Sequence, residues 1–502
     1  MAIALGIDLG TQGVKVVAYD LERRATVGQA AAPLALISRD DGSREQLAAW
    51  WIEALRSCIA AIDPALRRQA IALGVSGQQH GFVPLDREGR VLSAVKLWCD
   101  TSTVAECEEI TARAGGERRC IEIAGNPILP GYTASKVRWL ARSEPEAYAR
   151  LATILLPHDY INFFLTGERF TECGDASGTG WFDVRSRQWS APMLAAIDAQ
   201  RDLSACLPEI LDSSKVVPLA ANIADELDLP RTAVVSVGGG DNMMAAIGTR
   251  AIREGRLTVS LGTSGTLFAY SSRPIVDPQG RVAAFCSSTD GWLPLICTMN
   301  CTVATEQIRK LAGIAVADAD RLLGDTAAGA GGIVTLPFYN GERTPNLPRA
   351  KAAMIGLDVH NATPANLLRS AMEGATFALR HGLDIFRELD LRFDAVCVTG
   401  GGAASAVWRQ MIADVFAIPV VGLRDRESAA LGAALQAANA SVQARGSAGS
   451  LADLVDEHLA VDDELCCEPN AENVRRYEGF YGSYQDHLAR LRPYYIQQER
   501  SP

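Results

Sequence analysis

Two near-copies of one hexapeptide constrain this chain more than anything else in it. LGTQGV at residues 9–14 and LGTSGT at residues 261–266 agree at four positions of six, and each sits between two apolar, β-branched runs. IALGID and VKVVAY flank the first as strands, and RLTVS leads into the second. Glycines in such a loop let successive backbone N–H groups close around an anion. Reuse of the same strand–loop–strand context implies two halves built alike, each offering one phosphate loop to a shared cleft. A chain of 502 residues exceeds what one hydrophobic core usually supports, which agrees with two large α/β domains.

The longer stretch from Gly238 to Thr266 joins the second loop to an acidic turn. TAVVSV reads as a buried strand, and three glycines then present Asp241 and Asn242. A carboxylate beside bare backbone can serve as a general base, here one of ordinary pKa, about 3.9. Asp8 precedes the first loop and Lys15 lies just beyond it. A buried aspartate at a phosphate site calls for a cation, so Mg²⁺ held largely through waters is its expected companion. SGQQHG at 76–81 places Gln79 and His80 on a glycine-flanked turn, where amides and an imidazole suit sugar hydroxyls. LWCDTST at 97–103 adds Trp98 and Asp100 as an apolar wall and hydroxyl acceptor, or else Asp100 or Ser102 as an N-cap for helix 103–114.

Further on, residues 151–165 and MNCTVATEQIRKLAG read as helices, and Cys297 and Cys301 are spaced to share a helix face. TECGDASGTG reads as a polar loop, and GNPILPGYTASKVRWL as a loop entering an amphipathic helix of no evident role. Glu342 and Arg343 in GERTP pair with each other or shape a cleft mouth. At DAVCVTGGGAASAVW a strand meets three glycines and then a helix, a layout suited to an anion or a flat ring. No GxxxxGK[ST] loop is present, and Ser405 replaces the last glycine of a GxGxxG pattern, so neither a P-loop nor a dinucleotide fingerprint is read.

A net charge of −11 argues against a general nucleic-acid or anionic-membrane binder. The twelve cysteines show no metal-ligand spacing and read as reduced thiols, and the N-terminus carries Asp8 inside its apolar run, unlike a signal peptide. A cytoplasmic protein is expected, with a homodimer left open.

GIDLGTQGVK, SGQQHG, GGGDN, SLGTSGT, GERTP, IGLDVHNATPANLLRSAMEGATFAL, TGGGAASAVWRQMIAD and ALGAALQA, in this order, resemble the FGGY carbohydrate kinases, most closely their xylulose-kinase branch. The resemblance implies two actin-like, ribonuclease-H-like α/β domains with a nucleotide and sugar cleft between them. Their expected limits are 1–245 for the sugar-binding domain and 246–440 for the ATP-binding domain, followed by a helical tail, 441–502, packed on the body. It implies ATP and Mg²⁺, a sugar partner, and transfer of a phosphoryl group to the terminal hydroxyl of D-xylulose. Another pentulose or a polyol, such as ribulose, L-xylulose or glycerol, is the alternative acceptor. An actin-like ATPase or a silent sugar sensor is a more distant alternative.

By the family pattern Asp241 is the base, Gln79, His80, Asp241 and Asn242 hold the sugar, and Asp8 orients the metal. Thr11, Lys15, Gly262 and Thr263 face the phosphates, while Gly400, Gly401 and Ser405 lie along the adenosine. Gln79 stands where many bacterial members carry Met, Cys99–Ser102 replaces their Asn-Asp-Gly-Arg, and GSREQ at 42–46 lacks the Trp of their WSEQ segment. These departures bear on the sugar more than on the chemistry.

Overall fold

The structure is a computed structural model that describes residues 2–425, 427–446 and 449–499. It divides into two compact units that are not contiguous in sequence. One holds the chain up to Arg253, then Tyr270–Pro294 and Glu427 to Ala460; the other holds Glu254–Ala269, the stretch from Leu295, and the chain from Val461 on. The chain thus passes between the units more than once, in addition to the passage expected near residue 245.

Packing explains the threading. Helix Ser428–Ala444 is rich in alanine and lies so close on the first unit's strands that a Cβ at Gly6 would overlap the Ala430 carbonyl, and one at Gly74 the Ala433 carbonyl. Small residues on both sides let backbone meet backbone, and any larger side chain would force the layers apart.

In the first unit Ile3–Leu9 pairs antiparallel with Gly13–Asp20, which pairs antiparallel with Ala25–Pro33. On its other side Ile3–Leu9 pairs parallel with Ala70–Gly77, which pairs parallel with Val234–Ser236. The strands alternate little between polar and apolar residues because both faces are covered: Ile3, Ala4 and Leu5 in one strand and Ala72, Leu73 and, two further on, Val75 in the next are all fully buried.

The second unit repeats the pattern. Gly255–Leu261 pairs antiparallel with Gly265–Ala269, which pairs antiparallel with Trp292–Thr298 between Phe268↔Leu295 and Gly265↔Thr298. On its other side Gly255–Leu261 pairs parallel with Phe393–Thr399, and that strand parallel with Val420–Val421. Both hexapeptides thus turn the first hairpin of a mixed sheet in which five strands follow the same order, as the repeat predicts.

Helix Pro364–Glu388 buries one long face of the second unit, and helix Ala471–Glu499 is tied to it. Arg369 donates to the Tyr477 hydroxyl at 2.9 Å, and the Tyr481 hydroxyl donates to Asp384 at 2.8 Å. The tail after residue 440 is accordingly divided, its first part in one unit and its last helix in the other.

Three local expectations are corrected. Residues 151–165 are a short strand, Thr153–Leu155, and a helix that begins at Pro157, where proline's fixed φ suits a first turn. Cys297 lies in the strand Trp292–Thr298 and Cys301 caps helix Thr302–Leu311, so the two share no helix face. Asp100 does not cap helix Val104–Ala114, whose N-cap is Thr103.

Candidate active site

Three neighbouring strands of the first unit end at one edge. Asp8 is paired with Ser76, and the two-residue strand Gly239–Gly240 is paired with Ser76 and Gly77. Asp8, the GQQH turn and Asp241 therefore leave the sheet side by side, at the carboxyl ends of parallel strands where open α/β sheets bind ligands. The turn before Asp241 is clamped by Gln436: its Oε1 accepts from Ser236 Oγ and the Gly238 N–H at 3.0 Å each, and its Nε2 donates to the Gly238 carbonyl at 3.1 Å. Gly238 has φ 70°, and a Cβ there would collide with Val75.

Asp241 opens helix Asp241–Gly248, and its Oδ1 accepts from the Asn242 N–H at 2.7 Å and from Asn242 Nδ2 at 2.8 Å. Burial, then the charge of Asp8, push its carboxyl up to about 7, against the two bonds from Asn242. As a candidate base it is thus better matched to neutral pH than the ordinary aspartate the sequence suggests. Asp8 is also raised, by burial, although Ser76 Oγ donates to its Oδ1 at 2.8 Å and Lys15 opposes the shift.

Recessed carboxylates whose charge is disfavoured by burial gain from a hard divalent cation. Among the described residues no group of three or more His, Cys, Asp or Glu could hold a metal. A cation here would rest on the oxygens of Asp8 and otherwise on water and substrate, the manner in which Mg²⁺ is usually bound.

Gln79 and Asn242 are brought together: Asn242 Nδ2 donates to Gln79 Oε1 at 2.8 Å, and Gln79 Nε2 reaches Met243 Sδ at 3.2 Å. His80 is buried, 7% exposed, with φ 63°. Its ring completes a cluster with Tyr132 and Phe285, its centroid 5.2 Å from each and theirs 6.1 Å from one another. The sequence reading missed the group behind it. Asp175 Oδ1 accepts from the His80 N–H at 3.2 Å, and Asp175 Oδ2 lies 2.9 Å from Nδ1 of the buried His158.

His158 Nε2 is 2.9 Å from Asp159 Oδ1, and although burial opposes its charge, the two aspartates hold the imidazole well above its usual range. Burial likewise opposes the Asp175 charge, but bonds from His158 and His80 keep that carboxyl low. Glu172 accepts the Gly174 and Asp175 N–H groups at 2.6 Å each and Ser288 Oγ at 2.8 Å. Two acids in the polar loop 171–180 are the one sequence signal for this cluster.

The first glycine loop is braced by polar side chains. Thr11 Oγ1 donates to Gln78 Oε1 at 2.9 Å and accepts from Trp98 Nε1 at 3.0 Å, while Gln46 Nε2 donates to the Thr11 carbonyl at 2.8 Å. Lys15 Nζ is 2.8 Å from Glu427 Oε2, both side chains half exposed. Asp100 is fully buried, accepting from the Arg44 N–H at 2.9 Å, Ser102 Oγ at 2.6 Å and Lys96 Nζ at 3.2 Å. Its role is to neutralise Lys96 inside the fold.

In the second unit the carbonyl of Gly262 accepts from the Thr302 N–H and Oγ1 at 2.9 Å each, and that of Thr263 accepts from the Cys301 N–H at 3.0 Å. With its carbonyls fastened to the start of helix Thr302–Leu311, the loop has a fixed shape. Gly400, at φ 83°, lies against the Leu261 backbone, where a Cβ would approach to 2.9 Å, whereas a Cβ on Gly401 would meet nothing within 4 Å. Ser405 caps helix Ala406–Phe416 by accepting the Trp408 N–H at 3.1 Å, and its hydroxyl donates to Asp320. Its side chain is thereby committed to the helix start. Glu342 accepts the N–H groups of Met299 at 2.6 Å and Arg343 at 2.8 Å, and burial pushes it up to about 7, so it braces backbone where a pair with the Arg343 side chain was one expectation.

Known proteins resemble this chain over nearly its whole length. The model of the FGGY family of carbohydrate kinases, N-terminal domain, matches residues 3–248, and that of the C-terminal domain matches residues 257–441. A xylulose kinase of Haemophilus influenzae is 42% identical over 495 residues, 97% of this chain and 99% of that protein. One of Escherichia coli is 33% identical over 94% of this chain and 96% of its own. The crystal structure of a "xyloylose kinase" from Brucella ovis matches at 32% identity with a TM-score of 0.90, covering 98% of this chain and 99% of that one. With a duplicated mixed α/β fold, paired aspartates at the edge of one sheet and both family domains matched in order, this chain is a sugar phosphotransferase and belongs to the FGGY family of carbohydrate kinases.

Proposed function

We propose that the protein transfers the γ-phosphoryl group of ATP to the terminal hydroxyl of D-xylulose, giving D-xylulose 5-phosphate and ADP. The acceptor is inferred from the xylulose kinases it resembles, at up to 42% identity among those named above. The observation that carries the chemistry is Asp241, fixed at a helix start beside Asp8 and pushed up to about 7. Phosphoryl transfer passes through a loose transition state, so positioning and charge neutralisation do most of the work.

Asp241 accepts the proton of the attacking hydroxyl as the new O–P bond forms, and Asn242 fixes the orientation of that carboxylate. His80 and Gln79 bind other hydroxyls of the sugar. The Gly262–Thr263 loop, with its carbonyls tied down, and Thr11 in the first loop face the phosphates, and Gly400 and Gly401 lie along the adenosine. Mg²⁺, held through Asp8, supplies positive charge to the phosphate oxygens when bound.

A coupled ADP-release assay with MgATP tests the reading against D-xylulose, L-xylulose, D- and L-ribulose, glycerol and no sugar. A clear preference for D-xylulose is expected, with sugar-free ATP hydrolysis far slower. Preference for another acceptor moves the specificity assignment and leaves Asp241 in place; release that ignores the sugar refutes the kinase mechanism.

A further inference from the structure

The segment Tyr132–Lys136 carries no role that its spacing reveals, yet it holds the backbone of His80. Thr133 Oγ1 donates to the His80 carbonyl at 3.1 Å and Lys136 Nζ donates to the same oxygen at 3.0 Å. Lys136 makes a second bond, to the Gly131 carbonyl at 2.6 Å, and both Thr133 and Lys136 are completely buried. From the other side Asp175 takes the His80 N–H and lies 3.3 Å from its Nδ1. Gly178 packs against the imidazole so closely that a Cβ there would overlap Cε1.

These contacts explain how a non-glycine residue stays in the left-handed region, a conformation that persists only where its surroundings impose it. They also explain why a lysine is buried. An ammonium whose hydrogen bonds go to two carbonyls is costly in a protein interior, and burial drives Lys136 down to about 7, with Asp100, Cys99 and Cys107 opposing that shift and Lys96 adding to it. Packing alone would be better served by an apolar side chain. What the lysine adds is a directed bond to the residue read as a sugar contact. On the opposite flank, His158 and Asp159 keep the Asp175 carboxylate charged and oriented.

We infer that Asp175, Lys136 and Thr133 are positioning residues that hold His80 in its ligand-binding pose and thereby set the affinity for the sugar; this rests on the reading of His80 as a sugar contact. The negative Asp175 carboxylate 3.3 Å from Nδ1 favours electrostatically the tautomer protonated there, in which Nε2 is the acceptor offered to a sugar hydroxyl. None of the three touches the reacting atoms.

The test is steady-state kinetics of the full chain with MgATP and D-xylulose for Asp175→Asn, Lys136→Met and the near-isosteric Thr133→Val. Each is made alone and on a His80→Ala background. Each single substitution is expected to raise the sugar KM by roughly 3- to 100-fold, the range of coupling within one hydrogen-bond network. The ATP KM is expected to stay unchanged and kcat at saturating sugar to stay within about threefold. On the His80→Ala background the same substitutions are expected to add almost nothing.

Full additivity with His80→Ala, or an unchanged sugar KM in the singles, overturns the positioning role while His80 keeps its own. An unchanged sugar KM in His80→Ala itself removes the sugar contact, and this inference with it. Thr133→Val carries the test should the buried charge variants fail to fold, with circular dichroism to establish folding.

Discussion

The two glycine loops share a backbone and differ in what surrounds it. Each closes the hairpin of a first strand that pairs in parallel with the next strand of its sheet. In the first copy the strand residue two before the loop glycine is Asp8, which faces Lys15 across the hairpin and Ser76 on the parallel strand. In the second copy that position is Ser260, which faces Thr266 and Thr399. After the parallel strand the first copy continues into GQQH and the second into GGG.

One scaffold therefore yields an acidic edge, suited to a base and a cation, and a neutral edge, whose N–H groups attract a polyanion without opposing charge. The strand–loop–strand geometry is common to both, and the residue two before the glycine, Asp8 or Ser260, is one point at which the copies differ in charge.

Substitutions that remove or exchange these features give the sharpest tests. Asp241→Asn is expected to lower kcat by roughly 10²-fold or more, the scale of general-base loss, with the fold intact. In the parent, kcat/KM should rise with pH until it levels off above about 7, as Asp241 loses its proton, and the variant should lose that dependence. The stability sign follows from the same shift. A carboxyl raised from 3.8 to about 7 binds its proton more tightly in the folded state, so it costs stability as pH rises between those values. Asp241→Asn should accordingly raise Tm more at pH 8 than at pH 5, and an equal change at both would show that Asp241 is not held at a raised pKa.

Next in size, Asp8→Ser gives the first copy the residue of the second. A loss in kcat of roughly 10-fold or more is expected, together with a weaker response to added Mg²⁺; retained activity would mean that the acidic edge needs only Asp241. The reverse exchange, Ser260→Asp, puts a carboxylate beside the neutral loop. It should raise the ATP KM by roughly 10-fold through repulsion and leave the sugar KM alone, whereas an unchanged ATP KM would remove the phosphates from that loop. Smallest is Ser405→Ala, which should cost about 1 kcal/mol of stability through the lost cap. A large rise in ATP KM there would assign the hydroxyl to the nucleotide after all.

Much of the fold is legible before any coordinate, because its signals are local. Strand runs 3–8 and 14–19 are seen within a residue of their observed limits, and helix Pro364–Glu388 announces itself with Thr363, Pro364 and a long apolar period. Asp8, Asp241, Asn242, Gln79 and His80 stand out because glycines beside them mark close approach. Asp175, Lys136 and Gln436 do not stand out. Asp175 lies 95 residues from His80 in sequence, and Gln436 lies 198 from Gly238, so no local period relates either one to its partner. Glu342 was visible, but its partners were not, since the backbone N–H of Met299 is 43 residues away.

By itself, then, the amino-acid sequence determined the duplicated strand–loop–strand plan and the carboxylates at its edge, since turn chemistry and periodicity act over a few residues, while the order of its motifs carried the resemblance to a kinase family. Tertiary structure alone decided which unit the helix Ser428–Ala444 joins, how His80 is held, and that Asp241 sits near 7. Those outcomes depend on burial and on charges brought together from distant parts of the chain, and desolvation belongs to the packed molecule as a whole.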